Sequence, residues 1–165
     1  MATVKELSDA EGPLDLYEPT LGFRQQALRL VYVGVKVMPW ISEHLPEAIT
    51  DQRTEIQPIE QLDDLLNSFC AGEPISIERQ IKLLRHWDGG VWEMKTLDLR
   101  LFGWFPQIDT FICNSIDFAT RVKRLNLYAG YRGEVIRFRD PLPLDEPKFI
   151  QGDDPHGVIT NVSFT

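Results

Sequence analysis

Apolar side chains recur along this chain in two rhythms, and each predicts a different kind of element. In PIEQLDDLLNSFCAG, Ile59, Leu62, Leu65, Leu66 and Phe69 fall at helical spacing, with Pro58 suited to a first turn and Gly72 to a C-terminal stop. A helix is expected there. In ISIERQIKLLRHW, Ile77, Ile81, Leu84 and Trp87 fall on one face, and Arg79, Lys82, Arg85 and His86 lie on or near the other. Asp88, Gly89 and Gly90 then end the run. The two segments together predict a helical hairpin.

The rhythm then shortens to a period of two. VWEMKT, LRLFGWF and DTFICNS read as strands of a small antiparallel sheet, with turns at Asp98 and at Pro106 and Gln107. Strand alternation puts Leu99, Leu101 and Gly103 on one side and Arg100, Phe102 and Trp104 on the other, which sets a cation on an aromatic face. DFATRVKRLNLYAG predicts a third helix with Phe118, Val122, Leu125 and Tyr128 inward and Arg121, Lys123 and Arg124 outside. EVIRFRD predicts a further strand, with Arg137 and Arg139 on one face and Ile136 and Phe138 on the other.

Upstream, the β-branched run LRLVYVGVKVM favours a strand over residues 28–38, whereas its flanks GFRQQA and ISEHLPEAI favour helix, and Pro39 interrupts either. We read a strand followed by a short helix. The first 20 residues are acidic and contain Gly12, Pro13 and Pro19, as expected of a loosely held leader. Residues 140–165 read as an extended, proline-rich tail in which GVITNVSF adds an edge strand. With no internal repeat, the chain reads as one α+β domain over residues 1–165.

A chain of 165 residues, 43% hydrophobic and 25% charged, is long enough to bury a core without metals or disulfides. Its longest apolar runs are too short to cross a bilayer, and residues 1–11 do not resemble a signal peptide. A cytoplasmic protein without membrane contact is expected. Cys70 and Cys113 are far apart and lack His or Cys neighbours at ligand spacing, so they read as buried reduced thiols. Asp153, Asp154 and His156 are nearly consecutive in a turn sequence, so neither a metal nor another cofactor is expected.

Charge refines this picture. The net charge of -8 excludes a surface that clings to nucleic acid throughout. Residues 79–139, however, hold 11 Lys and Arg against 6 Asp and Glu, net +5, while the remainder holds 6 against 19, net -13. An acidic frame surrounds a basic centre.

The order of a helical pair, then Trp92, Glu93, Met94 and Lys95, then Leu99, Arg100, Leu101 and Phe102, then Phe111 and Ile112, resembles the RelE/HigB toxin superfamily over residues 58–115. The resemblance implies a RelE-like core, a helical hairpin on a small antiparallel sheet, with N- and C-terminal extensions. It also implies metal-independent cleavage of mRNA, or RNA binding, with RNA or the ribosome and a cognate antitoxin as partners. On that basis Arg100 holds the scissile phosphate, Lys95 stands at the place of the first strand cation, and His86 serves as titratable acid or base. Arg137 or Arg139 supplies a further cation. Apart from the resemblance, the glycine-flanked LYAGYRGE reads either as a structural loop or as a flexible turn whose Tyr131 stacks on bases, with Arg132 beside it as a substrate-binding cation.

A second reading rests on the acidic flanks and on Trp40, Trp87 and Trp104. It is a non-catalytic interaction or inhibitor protein of phage or mobile-element type that binds a basic protein partner.

Overall fold

The computed structural model describes residues 1–9, 11–84 and 89–164. Among these residues it is an α+β fold in which five α-helices surround a mixed six-stranded sheet of order β1-β2-β7-β6-β5-β4. The strands are β1 (Leu14–Leu16), β2 (Leu30–Gly34), β4 (Ile81–Leu83), β5 (Trp92–Lys95), β6 (Leu99–Gln107) and β7 (Thr110–Phe118). All neighbours are antiparallel except β2 and β7, which run parallel, so the sheet is larger than the expected antiparallel one and not purely antiparallel. A separate parallel pair joins β3 (Ile75–Ser76) to β8 (Val162–Ser163), which is the expected edge strand of the tail.

Strand alternation builds a core on each face. On one side Trp92, Met94, Leu99, Leu101, Phe105 and Phe111 pack with Leu62, Leu65, Leu66 and Phe69 of α3 (Pro58–Cys70), the helix whose spacing is plain in the sequence. On the other, Phe102, Trp104 and Ile112 pack with Val122 of α4 (Ala119–Leu125) and Val135 of α5 (Tyr128–Arg139). The sheet is thus covered on both faces, which explains strands that read as nearly continuous apolar runs.

Several segments differ from expectation. Residues 77–84 do not form the second helix of a hairpin. Glu78 adopts φ 72°, a left-handed turn, and Ile81 to Leu83 pair with Met94 to Trp92, so isoleucines at near-helical spacing are buried as strand residues instead. EVIRFRD is the end of α5, not a strand, because Leu127, Tyr131 and Val135, spaced by four, all pack on the Phe102 face. The expected single third helix is broken by Asn126 at φ 51° into α4 and α5.

The β6–β7 turn lies at Ile108 and Asp109, with Asp109 at φ 63°, two residues beyond the expected Pro106 and Gln107. The strand over residues 28–38 shortens to β2, and α2 (Val37–His44) starts before Pro39, which sits in its first turn, where the missing N–H removes no bond. The leader is not loose: Thr3 and Glu6 form a capping box on α1 (Val4–Leu7), Val4 and Leu7 are buried, and Ala2 bridges to Leu144. Nor is the tail merely extended, since Leu142, Leu144, Val158 and Ile159 are core residues. No helix among the described residues is long and apolar enough to cross a membrane.

Candidate functional site, a cationic cleft at a hairpin tip

The β5–β6 hairpin is pinned by what it buries. Trp92, Met94, Leu99 and Leu101 belong to the core under α3, so alternation sends Glu93, Lys95, Arg100 and Phe102 to the opposite face. Lys95 pairs directly with Arg100 in the strand register, and Glu93 with Phe102. Directly opposed side chains leave the same face with Cβ atoms about 5 Å apart, and like charges placed so repel. An anion relieves that repulsion.

The hairpin tip is tied to α3 through Asp98. The Asp98 amide donates to Gln61 Oε1 (2.9 Å), and Gln61 Nε2 donates to Asp98 Oδ2 (2.6 Å), while the Leu99 amide donates to Thr96 Oγ1 (3.0 Å). Next to this anchor Arg100, 7% exposed, donates from Nη1 to the carbonyls of Thr96 (2.7 Å) and Leu99 (2.9 Å). Its Nε is buried without a partner. Asp117, opposite Arg100 on the β7 side, is committed elsewhere: it accepts from Arg121, from the Tyr131 hydroxyl (2.5 Å) and from the Phe118 amide (2.8 Å).

The hairpin tip borders a cleft of about 740 Å³, within the size range of small-molecule sites. Its charged lining is Arg79, Lys95, Arg100 and Lys123 against Asp64 and Glu78, four cations to two carboxylates. Glu78 is partly neutralised by Lys82 at 3.4 Å. The exposed side chains of Ile56 and Leu97 add an apolar rim, and no aromatic residue lines the cleft among the described residues. Half-buried Lys95 has its pKa drawn down by burial, an effect that the Glu93 carboxylate opposes. Glu93 is 4% exposed with Oε2 unpartnered, and burial pushes its pKa up against the opposing pull of Lys95, Arg100 and Lys82.

Lys95 and Arg100 therefore come together as expected. The four residues expected to bind substrate do not join them, because all lie on α5 and none lines this cleft. Arg139 is 3% exposed, donates to Asp140 Oδ1 (3.1 Å) and the Gly89 carbonyl (2.5 Å), and lies 3.9 Å over the Phe149 ring, so its guanidinium clasps the tail to the fold. Tyr131 stacks one face on Phe102 at 4.7 Å, with its hydroxyl on Asp117, away from the cleft lining. Arg132 is half-buried beside it and Arg137 is exposed.

His86 and Trp87 lie outside the described residues. Trp104 is buried, its Nε1 donating to the Lys148 carbonyl (3.0 Å), and is no surface anchor, whereas Trp40 is half-buried against His44.

Lys123 and Arg79 are the additions. Both are legible as outward-facing cations, but their approach to one hairpin tip depends on α4 folding back there and on residues 77–84 being strand and turn. Comparison of the chain with protein-family models, with curated proteins and with solved structures finds no match.

Proposed function

We propose that this protein binds RNA, holding its phosphates in the cleft through Lys95 and Arg100, with Lys123 and Arg79 at the margins. The observation that carries the reading is the directly opposed Lys95–Arg100 pair at the cleft, joined to a nearly buried guanidinium whose Nε lacks a partner. Two fixed cations side by side, one a planar fork, suit the non-bridging oxygens of a phosphate. The absence of aromatic side chains from the described lining favours contact with the backbone over contact with bases.

The stronger form of the reading is the RelE/HigB-like one, cleavage of RNA by its own 2′-hydroxyl. The hydroxyl oxygen attacks the adjacent phosphorus, the bond to the 5′-oxygen breaks, and a 2′,3′-cyclic phosphate and a 5′-hydroxyl result. Lys95 and Arg100, both charged, are suited to stabilise charge on the phosphate oxygens, while water takes the hydroxyl proton and returns one to the leaving 5′-oxygen. The β5–β6–β7 meander behind α3 supports a RelE-like core, although the described residues 77–84, expected in its second helix, are turn and strand.

The test is binding of a fluorescent RNA oligonucleotide by anisotropy, with product ends mapped in the presence of EDTA. Lys95→Ala and Arg100→Ala are expected to weaken binding about tenfold or more each. Undiminished binding by both variants overturns the reading, and binding without cyclic-phosphate ends removes only its catalytic form.

A further inference from the structure

Glu93 is a buried acid that the proposed contacts do not use. It lies two residues before Lys95 on the same strand face, and its cross-strand partner Phe102 is two residues from Arg100. Such diagonal neighbours stand about 7–8 Å apart, within reach of long side chains. Directly opposite on β4 is Lys82, with Glu78 in the turn before it. From α5, Tyr128 and Tyr131 pack on Phe102, and beyond Arg100 the carboxylate of Asp117 is held by Arg121 and Tyr131. No salt bridge among the described residues ties Glu93 to any of these cations, and its Oε2 is sealed from water without a hydrogen bond. A buried carboxyl in that condition is stabilised by a proton or by nearby positive charge.

We infer that Glu93 is an exchangeable counter-ion of the cleft: ionised, it offsets Lys95 and Arg100 while the cleft is empty, and an incoming anion takes over both cations as Glu93 takes up a proton. The inference rests on the anion-binding reading of the cleft and adds a linkage to it. When an anion neutralises the two cations, the charge that favours ionised Glu93 is cancelled, while its burial remains. The bound protein therefore holds more protons than the free one, and affinity falls as pH rises through the Glu93 titration.

The experiment uses two probes that do not titrate between about pH 5 and pH 8, sulfate and a mixed-sequence RNA oligonucleotide, with the intact chain in a calorimeter. Affinity is expected to fall by up to about tenfold per pH unit, the limit for one linked proton. Binding heats in two buffers of different ionisation enthalpy are expected to show proton uptake. Glu93→Gln, a neutral variant of the same shape, is expected to bind more tightly than the natural protein at the upper pH and to lose the slope.

An affinity independent of pH, no proton uptake, or an unchanged slope in Glu93→Gln overturns the inference. If that variant fails to fold, Lys95→Arg, whose cation does not titrate in this range, decides: proton uptake that persists in it belongs to Glu93, and uptake lost with it overturns the inference. Sulfate binding with the expected slope but no oligonucleotide binding removes the RNA reading and leaves the counter-ion standing. Failure of both probes to bind removes both.

Discussion

A guanidinium with 1% of its side chain exposed must find its partners inside the protein, and Arg29 finds them in the backbone. Nη1 donates to the carbonyls of Phe69 (2.9 Å) and Glu73 (2.8 Å), Nη2 to those of Thr160 (2.7 Å) and Asn161 (3.3 Å), and Asp109 stands 3.7 Å from Nε. One side chain thus joins the end of α3 to the tail, and Arg29→Ala leaves those carbonyls and a carboxylate uncompensated. A loss of about 3 kcal/mol or more is expected in urea unfolding.

Gly103 is constrained from the other direction. It sits at the irregularity where β7 carries an extra residue, and a Cβ there would lie 1.9 Å from the Ile112 carbonyl oxygen. Gly103→Ala is therefore expected to cost about 1–3 kcal/mol, read as a lowered Tm, because backbone rather than a flexible side chain must move. Glu93 supplies a pH-dependent counterpart. Its pKa is raised on folding, so its contribution to stability is fully present below the unfolded value and is lost as pH rises through the folded one. Glu93→Gln should accordingly gain stability relative to the natural chain as pH increases, a trend visible in unfolding curves at successive pH values. A constant difference across pH would show that the carboxyl does not titrate on folding.

Among the elements, those defined by burial on a single period were legible and those defined by distant partners were not. α3 and the β5–β6 hairpin announce themselves because Leu62, Leu65 and Leu66, or Leu99 and Leu101, meet one core whatever the rest of the chain does. The β4 segment carries isoleucines compatible with either period, and its strand state comes from pairing with β5, which no local spacing reveals. α5 carries two glycines and the β-branched Val135 and Ile136, all unfavourable in a helix, yet its contacts with Phe102 and Trp104 outweigh them.

The same distinction governs the site. Lys95 and Arg100 meet because the short β5–β6 hairpin fixes their register, which the strand pattern and the turn at Asp98 suggest, while Arg137 and Arg139 were placed with them only on the assumption of a strand. α5 also depends on a polar tie, since the Tyr131 hydroxyl reaches Asp117 at 2.5 Å. Tyr131→Phe keeps the ring on Phe102 but leaves Asp117 one donor short, so a loss of about 1–2 kcal/mol is expected, with faster amide exchange confined to α5.

At the scale of the whole molecule, a net charge of -8 surrounds a cleft with four cations, and this arrangement sets how the proposed RNA binding would respond to salt. A uniformly basic protein gathers nucleic acid over its surface, whereas here the cleft's cations sit in a molecule whose net charge repels a polyanion. Four phosphate contacts on a single strand, at about 0.7 released counterions each, give a slope of log K against log salt of about -3 at most. Lys95→Ala should reduce that slope by about 0.7, one contact's share, because it removes a phosphate contact and no base contact.

The stoichiometry should remain one short oligonucleotide per chain even at low salt, since the net negative charge disfavours a second polyanion once the cleft is filled. A slope much steeper than about -3, or additional ligands bound as salt falls, would place the binding surface outside the cleft.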